Sequence, residues 1–146
     1  FAAHVTYMGP LGSGYAAKLI NNLIVGGEIT LIAEAFGLAR RAGVDLTRLM
    51  EALSGGAAAS PVLTMKGSKM ISGDYTASSR VLIHLKDQHN AQEMARALGA
   101  DIPACDLSTL LLEKLADMGR GNEDVAAVID LFQSKVDLRR LWNGNL

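Results

Sequence analysis

The sequence predicts an all-α fold: a compact multi-helix domain built on one long first helix. Three observations predict it. Leu19, Leu23, Ile29, Ile32 and Phe36 recur at helical spacing over a stretch too long for a strand. Glycine, proline and capping residues fall where helices of ordinary length would start and stop. No hairpin signal and no repeating βαβ pattern interrupts them. The 146 residues suit one domain large enough to bury a core, and 49% hydrophobic with 20% charged residues is a globular balance.

The elements follow in order. His4 to Met8 alternate in a β-prone way and read as the end of a strand whose sheet lies upstream, so residues 1–9 are expected to close a preceding dinucleotide-binding domain. Gly9, Pro10, Gly12 and Gly14 make a turn-rich entry. The first helix runs from about Gly14 to Arg41 and stops at Gly43. Gly26, Gly27 and Gly37 lie inside it, each costing about 1 kcal/mol of helix propensity against Ala, which makes sense where another helix or a ligand comes close. Asp45 caps a second helix through Leu46, Leu49, Met50 and Leu53. Ser60-Pro61 opens a third, through Met65 and Met70. After a loop at Gly73-Asp74-Tyr75, a fourth runs from about Ser79 to Leu98 and stops at Gly99. Ile102-Pro103 leads into a fifth ending near Met118, and Asn122 is expected to cap a last helix reaching Gln133. The tail from Arg139 to Leu146 is left as loose chain or a docking segment.

Several function classes are disfavoured. A net charge of −1 without a basic stripe speaks against nucleic acid and anionic membrane surfaces. Leu19 to Ala39 is apolar enough to suggest a membrane span, but it holds Asn21, Asn22, Glu28 and Glu34. A charge at the centre of a span costs about 2.5–3.5 kcal/mol, so a helix buried inside the protein is the better reading. Cys105 is the only cysteine, which leaves no internal disulfide, no zinc cluster and a cytoplasmic setting as the expectation.

The segment from Gly9 to Asn22 is the most informative. A Walker A loop needs Lys-Ser/Thr where Tyr15 stands. Gly12-Ser13-Gly14-Tyr15-Ala16-Ala17 fits the dinucleotide fingerprint GxGxxA, yet a long helix follows instead of a βαβ unit. Lys18 and Asn22 are i and i+4 and share one helical face, with Asn21 beside them. By spacing alone they either line a polar cleft or are a lysine reaching solvent and two amides satisfied by nearby backbone.

The combined pattern GxxGxG-xxx-K-xx-NN resembles the catalytic segment of the β-hydroxyacid dehydrogenases, the family of 3-hydroxyisobutyrate dehydrogenase and tartronate semialdehyde (2-hydroxy-3-oxopropionate) reductase, with 6-phosphogluconate dehydrogenase as a distant relative. The resemblance implies that Lys18 is the general acid/base and that Asn22, with Asn21 and Gly14, holds the substrate. Ser79-Arg80-Val81-Leu82-Ile83-His84-Leu85-Lys86-Asp87 is similar to the family's F-xxx-L-xx-K-D-L segment, which carries a cofactor role to Lys86, with Asp87 orienting it. Two departures stand out. Ser79 replaces a phenylalanine near the nicotinamide, which puts the packing of that side of the pocket in question, and Gln88 replaces a leucine. Without the family, Lys86-Asp87 would read as a solvated surface pair. His84 and His89 are five apart, not the i, i+4 of a helical metal pair, so no metal is expected. Met50, Met65, Met70, Met94 and Met118 read as core fillers.

The resemblance implies the helical C-terminal domain of an NAD- or NADP-dependent oxidoreductase that interconverts a small 3-hydroxy acid and its semialdehyde, inactive without its cofactor domain. A reductase of other carbonyls or imines and a non-enzymatic oligomerisation module are the alternatives. The family also implies a homodimer or homotetramer. The smooth strip of Ala33 and Gly37 on the first helix is where a second copy is expected to approach.

Overall fold

The computed structural model describes residues 5–133, so Phe1 to His4 and the tail from Ser134 to Leu146 lie outside the described residues. Six α-helices follow one another: α1 Ser13–Arg41, α2 Leu46–Ser54, α3 Ser68–Ser72, α4 Val81–Leu98, α5 Pro103–Asp117 and α6 Ile129–Gln133. A π-helical turn, Leu63–Gly67, leads into α3, and a 3₁₀ turn, Val125–Val128, leads into α6. The described residues contain no strand. The expected strand at Val5 to Met8 is irregular chain, as an extended segment must be when no partner strand is present.

α1 is the spine, and α4, α5 and α6 pack along it. Its length and apolarity would suffice to cross a membrane, but Leu19, Gly26, Ile29, Thr30, Ala33, Phe36 and Gly37 are buried against the other helices at i, i+3, i+4 and i+7 spacing. Two of its interior glycines are explained by close approach. A Cβ on Gly26 would overlap the Gln88 side-chain amide of α4, and one on Gly37 would sit 2.6 Å from Cβ of Phe132 on α6. The Ala33–Gly37 strip is therefore taken within the chain, which corrects the expectation that it is left for a second copy. Ile20, Ile24, Leu31 and Leu38, on another side of α1, are exposed.

The caps are mostly where the sequence puts them. The Asp45 carboxylate accepts the Arg48 N–H at 2.8 Å, and the Ser60 hydroxyl accepts the Leu63 N–H at 2.9 Å. α1, α4 and α5 end alike: Gly43, Gly99 and Gly119 take positive φ while the next N–H bonds five residues back, Val44 to Ala39, Ala100 to Ala95 and Arg120 to Leu115.

Four expectations need correction. The third helix is not regular, because the π turn widens it at Leu63–Gly67 and so buries both Lys66 and Gly67. α4 starts at Val81, since Ser79 and Arg80 are extended and pair with the chain at Gly121 to Val125: Val125 N–H bonds Ser79 C=O, and Val81 N–H bonds Glu123 C=O. Asp124, not Asn122, caps the last helical segment, its carboxylate accepting the Ala126 N–H at 3.1 Å. Met70 is fully buried, as expected, but Met65 and Met118 are exposed. The core joins Ile29, Phe36, Met70, Leu112, Leu115, Ile129 and Leu131.

Candidate functional site

The first turns of α1 carry Gly14, Lys18, Asn21 and Asn22. Gly14, Lys18 and Asn21 are exposed, and Asn22 is half-buried. The Asn21 amide donates to Asn22 Oδ1 at 3.4 Å. Asn22 Nδ2 is shut off from solvent and has no hydrogen-bond partner among the described residues. A buried amide N–H without an acceptor costs about 1–3 kcal/mol.

Gln88 brings α4 to this end of α1. It is 1% exposed, and its Nε2 donates to the Asn22 carbonyl at 3.3 Å. Its Oε1 accepts the Cys105 thiol of α5 at 2.8 Å. The turn with Lys86 and Asp87 is thereby held beside the turn with Lys18 and Asn22. Lys86 is exposed and Asp87 half-buried. Among the described residues, no hydrogen bond or ion pair joins Lys18, Lys86 and Asp87 to one another. The two constellations are thus neighbours through Asn22 and Gln88, while the lysines themselves stay open to solvent.

The structure also assembles a buried cluster that sequence reasoning missed. Lys66, turned inward by the π segment, places Nζ 2.9 and 3.0 Å from the two carboxylate oxygens of Asp124. Asp124 also accepts from Ser78 N–H (2.9 Å), Ser78 hydroxyl (2.8 Å), Ser79 N–H (3.1 Å) and Ala126 N–H. Burial pushes the Asp124 carboxyl up, but the Lys66 ammonium and these donors outweigh it and hold the group well below the usual carboxylate range. Ser79 Oγ in turn lies 2.8 Å from His84 Nε2. Burial, and then the Lys66 charge, lower the His84 pKa against the smaller pull of Asp87 and Asp124. The cluster clamps the chain just before α4, upstream of Lys86. A lone Lys66 and a lone Asp124, 58 residues apart, gave no signal of pairing; the Asp directly before the apolar run Val125 to Ile129 was the one available hint.

The remaining candidates behave as ordinary residues. His89 pairs with Glu113 on the surface at 3.0 Å. Burial raises the Cys105 pKa, which keeps it a protonated donor to Gln88 and not a nucleophile. No group of three or more His, Cys, Asp or Glu among the described residues is placed to hold a metal ion.

Comparison with known proteins gives this geometry a context. Residues 12–132 match the family described as "NAD-binding of NADP-dependent 3-hydroxyisobutyrate dehydrogenase". The chain is 30% identical over 130 residues to 2-hydroxy-3-oxopropionate reductase of Escherichia coli, covering 89% of this chain and 44% of that protein. It is 33% identical over 140 residues to a probable mitochondrial 3-hydroxyisobutyrate dehydrogenase-like protein of Arabidopsis thaliana, covering 96% of this chain and 43% of that one. Among solved structures, 3-hydroxyisobutyrate dehydrogenase of Salmonella typhimurium superposes with a TM-score of 0.79 at 32% identity, over 82% of this chain and 42% of that one. The chain thus spans a little under half the length of these relatives. A match across nearly all of the described helices, with the same fold in a solved relative, places the chain in the NAD(P)-dependent 3-hydroxyisobutyrate dehydrogenase family.

Proposed function

We propose that this chain is the helical C-terminal substrate domain of an oxidoreductase that interconverts a small 3-hydroxy acid and its semialdehyde, with Lys18 as general acid/base. The observation that carries this reading is the Asn22 amide, buried and lacking an acceptor one helical turn from exposed Lys18. A hydroxyl or carboxylate oxygen of a small acid is the acceptor it lacks. Asn21, donating to Asn22 Oδ1, occupies the acceptor end of that amide and leaves its donor end as the unfilled one, and Gly14, with nothing within 4 Å of where a Cβ would stand, leaves the entry open.

A nicotinamide dinucleotide fits what the chain presents, since exposed Lys86 offers a cation on the turn that Gln88 holds beside the orphaned amide. When bound, NAD or NADP supplies the hydride acceptor or donor at the carbinol carbon. Lys18 takes the proton from the hydroxyl oxygen during oxidation and returns it to the developing alkoxide during reduction. Asn22 orients that oxygen. The reaction needs a cofactor domain closed over this end of α1. The 146 residues alone are therefore expected not to turn over substrate. The same reading expects a cytoplasmic homodimer or homotetramer. With Gly37 covered by Phe132, the exposed stripe of Ile20, Ile24, Leu31 and Leu38 is the apolar surface of α1 that remains for a second copy.

The test is Lys18→Ala in the full-length enzyme. Turnover of a 3-hydroxy acid should fall about 10²–10⁴-fold with folding and cofactor affinity retained, the range for loss of a positioned acid/base. Turnover like that of the unaltered enzyme would refute the assignment.

A further inference from the structure

We infer that Gln88 is a positioning residue that sets the Asn22 amide for substrate, an inference that rests on the reading of Asn22 above. The buried amide of Gln88 is used at both ends. Nε2 donates to the carbonyl of Asn22, the very residue whose side chain is left with an unfilled donor. Oε1 is held by the Cys105 thiol of α5. The side chain thus ties α5 to α1 through α4, and its contact falls on the peptide of Asn22, not on a packing residue farther along the helix.

Space for this has been made on α1. Gly26, one turn beyond Asn22, has no side chain, and any Cβ there would overlap Gln88 Nε2 and come within 2.8 Å of its Cδ. The Asn22 carbonyl is already the acceptor for the N–H four residues on in the ladder of α1. A second donor from Gln88 draws that carbonyl outward toward α4, and such an added donor tilts the peptide plane and the Cα–Cβ direction that follows it. Burying an amide is costly unless both ends are satisfied. Here both are, and the partner chosen is the backbone of the proposed substrate residue. An apolar side chain at 88 would fill the same space against Gly26 without fixing that peptide.

The experiment is a double-mutant cycle on the full-length enzyme, with Gln88→Met as the near-isosteric change and Asn22→Ala as its partner. Gln88→Met should lower kcat/KM for the 3-hydroxy acid about three- to tenfold, the effect of one neutral hydrogen bond, mainly through KM. In the Asn22→Ala background the same change should have no further effect. Additive losses, or a Gln88→Met enzyme that is altered only in thermal stability, overturn the inference. Should Gln88→Met not fold, Cys105→Ala, which frees Oε1, is put through the same cycle with Cys105→Ser as the variant that retains a donor. Loss with Ala, rescue with Ser and coupling to Asn22 support the inference; equal behaviour of Ala and Ser overturns it. The two readings fail differently. If Asn22→Ala leaves kcat/KM unchanged, the assignment of Asn22 to substrate is wrong; if it lowers kcat/KM and no coupling to Gln88 is found, only the positioning role is wrong.

Discussion

Replacing Asp124 by Ala is expected to be among the most damaging single changes to this fold. Its carboxylate is completely buried and accepts from Lys66 Nζ, Ser78 N–H and hydroxyl, Ser79 N–H and Ala126 N–H. With it gone, the buried Lys66 ammonium keeps only Ser78 Oγ, at 3.2 Å, and three backbone N–H groups lose their acceptor. Removing one partner of a buried ion pair costs about 3–5 kcal/mol, against a total stability of about 5–15 kcal/mol for a domain. Lys66→Met should cost less, about 1–3 kcal/mol, because Asp124 retains the other donors. The double variant should cost less than the sum of the two. Urea unfolding of the 146-residue chain followed by circular dichroism measures all three. The acid limb gives a second check. Because the folded pKa of Asp124 is depressed, its contribution is fully present above the unfolded value of about 3.9 and is lost as pH falls below that toward the folded value. The gap between the unaltered chain and Asp124→Ala should therefore close below about pH 4. An Asp124→Ala chain within about 1 kcal/mol of the original at neutral pH would refute the role given to this cluster.

Two further outcomes follow from the site and the surface. Lys86→Ala in the full-length enzyme should weaken NAD or NADP binding more than Asp87→Asn does, and equal, negligible effects in a cofactor titration would return the pair to an ordinary solvated face. Sedimentation of the chain should show self-association that Leu31→Lys, a charge placed in the exposed stripe of α1, shifts toward monomer; a chain that is monomeric at high concentration both with and without the substitution would remove that stripe as an interface.

The fold was readable where local chemistry decides it. Ser60 and Asp45 announce helix starts, Gly43 and Gly99 announce stops, and the apolar spacing from Leu19 to Phe36 announces the spine. What could not be read is non-local. That Gly37 is spent on Phe132, 95 positions later, depends on how α6 returns to α1, and a smooth strip looks the same whether its partner is internal or a second copy. The π turn on which Lys66 lies has no apolar periodicity of its own, and the partner of Lys66, Asp124, lies far along the chain. At the site, spacing alone put Lys18 and Asn22 on one face. The bond from Gln88 to Asn22 was beyond it, because a glutamine in a helix reads as surface until its burial is known.

The two departures from the family pattern, Ser79 just before α4 and Gln88 within it, have a common physical logic. Where the pattern has phenylalanine and leucine, this chain has Ser79 and Gln88, and neither is an idle polar substitution. Ser79 donates its N–H to Asp124, accepts the Val125 N–H at its carbonyl and shares a hydrogen bond between its hydroxyl and His84 Nε2. Gln88 spends its amide on Asn22 and Cys105. Lys86 and Asp87 lie between these two anchors, so the stretch proposed to face the cofactor is held at both ends by directional bonds in place of apolar contact. Apolar packing tolerates sliding of a side chain at little cost, whereas a buried amide or hydroxyl that slides loses its partner and pays desolvation. The exchange therefore trades bulk for register. It narrows the positions α4 can take against α1.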